Sequence, residues 1–143
     1  MNLHHINIKA PAALMAAEKQ FFCEVLGLHE GHRPDFASQG YWLYSAGQAI
    51  VHLSLSEQHF SNERTGYLDH VAFQTSNLQD LLQRLDNAGI EYSSSHVSEL
   101  GMTQVFLKSP SAIGIEVNCL DAKNRSTSAA SDFTPTGNES MSV

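Results

Sequence analysis

The sequence predicts an α+β fold of two tandem β-α-β-β-β modules whose sheets form a cup around a shared site, and two observations carry that prediction. The first is an internal repeat. Leu3-His4-His5-Ile6-Asn7-Ile8 returns about 65 positions later as Leu68-Asp69-His70-Val71-Ala72-Phe73, and Ala49-Ile50-Val51-His52-Leu53 returns at nearly the same offset as Ile113-Gly114-Ile115-Glu116-Val117. The second is the order of elements inside each copy, which reads strand, helix and three further strands. Such a unit builds one four-stranded sheet with a bare face that it cannot bury alone. Two units side by side can curl their sheets together. Module one is expected over about 1–56 and module two over about 67–120, as one domain of residues 1–120.

The first strand is expected at about Leu3–Lys9. Pro11 suits the first turn of the next helix, where its missing N–H costs nothing. That helix runs to about Leu26 on the helical spacing of Leu14, Ala17, Phe21, Phe22 and Val25, with Gly27 as its C-terminal cap. Strands follow around Leu28–Arg33, Gly40–Ser45 and Gln48–Ser54, the last two joined by the turn Ser45-Ala46-Gly47-Gln48. The polar segment Glu57–Gly66 reads as the linker between modules. The second module then repeats the order. A strand at Tyr67–Gln74 precedes a helix with Ser76 as N-cap and Gln79 three residues on. Leu78, Leu81, Leu82 and Leu85 form its apolar stripe, and Gly89 ends it. Strands are expected near Ile90–Ser94, Met102–Lys108 and Ile113–Cys119. The segment 121–143 is polar and aperiodic, with Phe133 and Met141 its only bulky apolar residues, and is expected to be a mobile tail.

Composition narrows the function classes. The chain has 143 residues, 42 % hydrophobic and 16 % charged, and a formal net charge of −7. Phosphate binding normally needs a surplus of lysine and arginine. Only eight such residues are present, scattered along the chain, so no nucleic-acid partner is expected. No apolar run approaches the roughly 18 residues that span a bilayer, so no membrane partner is expected. The polar first strand does not resemble a secretion signal, and the expected location is cytoplasmic. Cys23 and Cys119 lack CxxC spacing and read as reduced, buried thiols.

Strand alternation sorts the candidate ligands. Ile6 and Ile8 match Val71 and Phe73 and should face a helix, which leaves His5 and His70 on the open face. His4 matches Asp69 and is expected to be structural or to support the site from beside it rather than to be a ligand. The same alternation places His52 and Glu116 on the open face. A lone histidine on an apolar strand is usually a hydrogen-bonded core residue, but four positions that agree with an internal duplication point to a metal. His5, His52, His70 and Glu116 are therefore the candidate ligands of one divalent ion per site. His29, His32, His59 and His96 lie in loops or strand ends, where solvation is the default, although the serine-rich segment around His96 could close over a site. Trp42 and Tyr44 share one strand face, and Gln104 and Phe106 another. If those faces look inward they line the pocket of a small-molecule substrate. Only Arg33 and Lys108 would bring positive charge near it, which disfavours a multiply charged substrate.

The chain resembles the vicinal oxygen chelate superfamily of glyoxalases, bleomycin resistance proteins and extradiol dioxygenases. The resemblance rests on His5-Ile6-Asn7-Ile8, Phe21-Phe22-Cys23-Glu24-Val25-Leu26-Gly27-Leu28, Leu68-Asp69-His70-Val71-Ala72-Phe73, and Ser109-Pro110 leading to Ile115-Glu116. It covers residues 1 to about 120. It implies ligands on the first and last strand of each module, here His5, His52, His70 and Glu116. It also implies a homodimer, in some members with each site drawing ligands from both chains. The chain departs from the family at Ser109-Pro110-Ser111-Ala112, where Asp-Pro-Asn/Asp-Gly is usual. It also lacks the potassium loop and the basic cluster that fosfomycin-modifying members need.

Three functions follow as alternatives. With four side chains bound, an octahedral Zn, Ni, Mn or Fe ion keeps two positions for neighbouring substrate oxygens, which suits Lewis-acid chemistry of the lyase or isomerase type. With His52 unbound, His5, His70 and Glu116 form the two-histidine, one-carboxylate set of an Fe(II) ring-cleavage dioxygenase, and His52 becomes an acid or base. His52 and Glu116 are thus the candidate catalytic residues. The third alternative is a non-catalytic protein that binds a small molecule.

Overall fold

A computed structural model describes residues 1–58 and 67–121. Most of the expected linker, with His59, and the expected tail beyond Asp121 lie outside the described residues. The elements in chain order are β1 (Ile6–Ala10), α1 (Ala12–Glu24), β2 (His29–Gly31), β3 (Gly40–Ser45), β4 (Gln48–Leu55), β5 (His70–Thr75), α2 (Leu78–Ala88), β6 (Ser93–Val97), β7 (Met102–Lys108) and β8 (Gly114–Leu120). They form two four-stranded sheets, ordered β1-β4-β3-β2 and β5-β8-β7-β6. In each sheet the first and last strands of the module pair in parallel, and the remaining pairs are antiparallel. Among the described residues no helix is long and apolar enough to cross a membrane.

The repeat seen in the sequence is a repeat of register. Asn7 pairs with His52 in the first sheet, and Ala72 pairs with Glu116 in the second. His5 and His70 stand two residues before Asn7 and Ala72, so the two pairs occupy equivalent places in their sheets. Burial alternates as expected along β1 and β4, with Ile8, Ala10, Val51 and Leu53 buried between more exposed neighbours. In β8 the alternation is broken at Glu116, which is buried along with Ile115 and Val117.

The buried sides of both sheets feed one core. Ile8, Leu43, Val51 and Leu53 from the first module and Val105, Leu107, Ile115 and Val117 from the second join a single cluster with Phe22, Leu81 and Leu85 of the helices. Phe22 of α1 is fully buried and meets Phe73 of β5 edge-on, with ring centroids 6.1 Å apart. Glu18 adds a polar tie. It is fully buried on α1, and its Oε1 accepts from Ser109 Oγ at 2.9 Å and from the Ser111 amide at 2.7 Å. A carboxylate of one module therefore holds the turn that opens β8 in the other, at the place where this chain departs from the usual turn sequence. Removing it deprives the part-buried Ser111 amide of its acceptor and leaves Ser109 Oγ only Ser111 Oγ at 3.2 Å, so Glu18→Ala should cost about 2 kcal/mol. A lowered midpoint of urea unfolding at unchanged m-value is the expected readout.

The structure moves several expected boundaries. β1 begins at Ile6, not Leu3, because the chain before it is held by a side chain rather than a ladder: Gln48 Nε2 donates to the His4 carbonyl at 2.9 Å. α1 stops at Glu24, and Leu28 N–H closes the helix end on the Phe22 carbonyl across Gly27, whose φ is +75°. That cap consumes Leu28 and shortens β2 to three residues. α2 is capped by Asn77, whose side chain accepts from the Asp80 amide, and not by Ser76. Asparagine is an equally good cap, and the adjacent serine gave the same spacing one residue early. Gly89 ends α2 in the left-handed conformation, as expected. The Ile90 amide belongs to that cap, bonding to the Leu85 carbonyl, so β6 starts at Ser93 and runs through a serine-rich stretch with little strand signal of its own.

Candidate metal centre

The module-one half of the site is formed by His5, directly before β1, and His52 on β4. His5 and His52 stack face to face, with ring centroids 3.8 Å apart and planes 14° from parallel. Trp42, the register partner of His52 on β3, covers the other face of His52 at 4.2 Å and 11°. His52 Nε2 is buried and has no hydrogen-bond partner. Burial makes His52 a poorer proton acceptor than a free histidine, and the neighbouring His5 acts in the same direction. His4 contributes from the side, its Nδ1 2.8 Å from His5 Nδ1.

The module-two half sits on β5, β7 and β8. His70 Nε2 lies 2.9 Å from Glu116 Oε2, and His70 Nδ1 lies 2.8 Å from Asp69 Oδ2. The Asp69 hydrogen bond, aided by the nearby Glu116 charge, raises the proton affinity of His70 above its usual value. Gln104 donates to the other oxygen of Glu116 at 2.7 Å. Phe106, 36 % exposed, is the register partner of Glu116 as Trp42 is of His52. Gly114 makes this half possible. A Cβ there would fall 2.5 Å from the Asp69 carbonyl and 3.2 Å from His70 Cβ, so any larger residue would push the start of β5 away.

The four candidate ligands thus come as two pairs. Among the described residues, no three His, Cys, Asp or Glu side chains gather into a set able to hold a metal ion within one chain. The alternation explains the separation. The helix-facing sides of both sheets meet in one core, and the pairs stand on the other faces.

The expected pocket residues divide. Trp42 stacks on His52, Gln104 holds Glu116, and Phe106 lies beside it. Tyr44 is engaged elsewhere: its hydroxyl donates to the His32 carbonyl at 2.6 Å and its ring lies over Gly31, where a Cβ would be 2.6 Å away. It fastens β2 to β3. Arg33 Nη2 donates to the Ser38 carbonyl at 2.8 Å, and its guanidinium lies 4.9 Å over Phe36. His96 faces Thr103, 3.3 Å away, and Asp121, 3.9 Å away. The sequence reading gave Asp69 no role of its own, although its position directly before His70 matches a carboxylate that orients a ligating imidazole. Nothing in the local pattern announced the stacking of Trp42.

No family model matches the chain, and no curated protein matches it. Solved structures do. A putative glyoxalase family protein from Bacillus anthracis is 20 % identical, with 85 % of this chain and 96 % of that chain covered and a TM-score of 0.66. A glyoxalase family protein from Enterococcus faecalis is 26 % identical over 82 % of this chain and 96 % of that one, with a TM-score of 0.58. The fosfomycin resistance protein FosX from Listeria monocytogenes, as a variant complexed with Mn(II) and 1S,2S-dihydroxypropylphosphonic acid, is 13 % identical over 87 % and 95 %, with a TM-score of 0.62. Paired sheets, duplicated register and these likenesses agree: the chain carries the fold of the vicinal oxygen chelate superfamily.

Proposed function

We propose that the chain is a metal-dependent enzyme whose site forms between two copies, the His5/His52 face of one meeting the His70/Glu116 face of the other. The observation that carries the reading is the pair of complementary half-sites in matching register, each on the sheet face turned from the core. β1 and β5 are edge strands, and Leu3, Tyr67 and Leu68, just before them, are exposed apolar residues, which fits an edge covered by a second copy.

The residues fit a divalent ion. A buried imidazole nitrogen without a partner is costly unless something accepts its lone pair or its proton. His70 Nε2 and Glu116 Oε2 already converge, and each is oriented from behind, by Asp69 and Gln104. His5, His52, His70 and Glu116 would hold the ion, which supplies Lewis acidity toward two neighbouring substrate oxygens. Around it, Trp42 and Phe106 offer flat apolar surface for the substrate. The reaction class is a lyase or isomerase acting on a small oxygenated molecule. Metal analysis of the purified protein tests it: zinc, nickel or manganese near one ion per chain is expected, without oxygen consumption. Iron together with oxygen uptake on catechols would overturn the Lewis-acid reading.

The raised proton affinity of His70 gives this site a pH signature. In the metal-free protein the protonated ring contributes stability that is complete below the unfolded value and is lost as pH rises through the higher folded one. A metal must displace that proton. Affinity for Zn²⁺ should therefore climb as pH rises past the ordinary histidine value, with protons released on binding, as calorimetry in buffers of different ionisation enthalpy will show.

A further inference from the structure

Trp42 is the only tryptophan of the chain. Its indole closes a column of planar groups. His5 and His52 lie 3.8 Å apart, His52 and Trp42 4.2 Å, and all three planes are within about 15° of their neighbours. Phe36 continues the column at 6.0 Å and 44°, and the Arg33 guanidinium lies over Phe36. Trp42 and His52 are cross-strand partners, so the pairing of β3 with β4 brings the two rings together without help from a loop.

The consequence concerns the freedom of His52. The ring of a histidine turns about a terminal torsion whose energy wells are broad. An imidazole on an open sheet face would swing its Nε2 through a wide arc. Held between His5 and the indole, the ring keeps one plane; a hydrogen bond to the Ala49 backbone limits its swing within that plane, while Nε2 itself has no partner. Aliphatic bulk would fill the same space without imposing a plane.

We propose that Trp42 is a positioning residue, which fixes the plane of the His52 imidazole by stacking and so aims Nε2 at the metal. The role of Nε2 as a ligand rests on the metal reading above; the stacking does not. It also makes the indole a reporter, since whatever binds His52 acts within a few ångströms of the only tryptophan.

Two substitutions separate stacking from bulk. Trp42→Phe keeps a flat face, and Trp42→Leu keeps apolar volume without one. Zinc affinity by calorimetry should fall about tenfold in Trp42→Leu, the range for groups that orient a ligand, and stay within about threefold of the parent in Trp42→Phe. In the metal-free protein, the ring protons of His52 in NMR spectra should be shifted upfield by the indole and lose that shift in Trp42→Leu. Zinc should change the tryptophan emission of the parent and leave that of His52→Ala unchanged. Equal loss of affinity in both variants, or none in Trp42→Leu, overturns the proposal. If Trp42→Leu does not fold, the Phe variant and the His52 shift in the parent decide it. If no variant binds zinc but the upfield shift is present, the metal reading fails and the stack stands. Absence of the shift in the parent removes the stack itself.

Discussion

His70→Ala should lower metal affinity by at least about 100-fold, because even the groups that merely orient a ligand are worth about 10- to 100-fold. The loss has three parts. It removes a donor atom, strands Glu116 with a buried carboxylate facing one partner fewer, and frees Asp69 from the imidazole that it orients. Only the first and last weaken the metal complex directly; the second acts on the metal-free fold, where Gln104 still holds one oxygen of Glu116. Unfolding should therefore shift far less than binding. Calorimetric titration with zinc, alongside a thermal melt of the same variant, checks both. A large loss of stability with intact metal affinity would mean that His70 is a structural residue of β5 and nothing more.

The largest effect on stability is expected from Phe22→Ala, at about 3–5 kcal/mol. Phe22 is completely buried on α1, packs edge-on against Phe21 at 5.2 Å, and meets Phe73 of the second module. Its removal opens a cavity where the two modules join, in a position that neither sheet can fill without leaving its own ladder. Against a typical total of about 5–15 kcal/mol for a domain, that is about a fifth or more of the whole. Chemical denaturation should show a much lower midpoint. A second transition would show that the modules have become independent, because the core cluster that couples them is weakened at its centre. A change below about 1 kcal/mol would contradict a single shared core.

The duplication was legible because period-two alternation and a constant offset are local properties. His5, Ile6 and Ile8 against His70, Val71 and Phe73 already state which face each residue takes, and the ladder partners Asn7–His52 and Ala72–Glu116 bear that out. Boundaries were less legible where a cap competes with a strand. Leu28 and Ile90 look like strand residues by hydrophobicity, yet their amides close helix ends. β6 is hidden for the opposite reason, as three successive serines carry strand geometry imposed by β7. The tie from Glu18 to Ser109 and Ser111 spans more than ninety positions and has no periodic signature. The way the two sheets face each other is of the same kind. Alternation shows that His52 and Glu116 point away from the helices, but the side on which the modules meet depends on how Phe22, Phe73 and Leu85 pack together.

The central claim is that a complete site needs two chains, and mixing variants tests it most directly. One variant carries His5→Ala and His52→Ala, the other His70→Ala and Glu116→Ala, and neither should bind zinc tightly alone. Co-refolded, a shared site predicts that each mixed pair regains one intact set of four ligands, so tight binding returns in proportion to the mixed species. Failure of the mixture to bind zinc, with mixed pairs present and the parent binding, would place all four ligands within one chain.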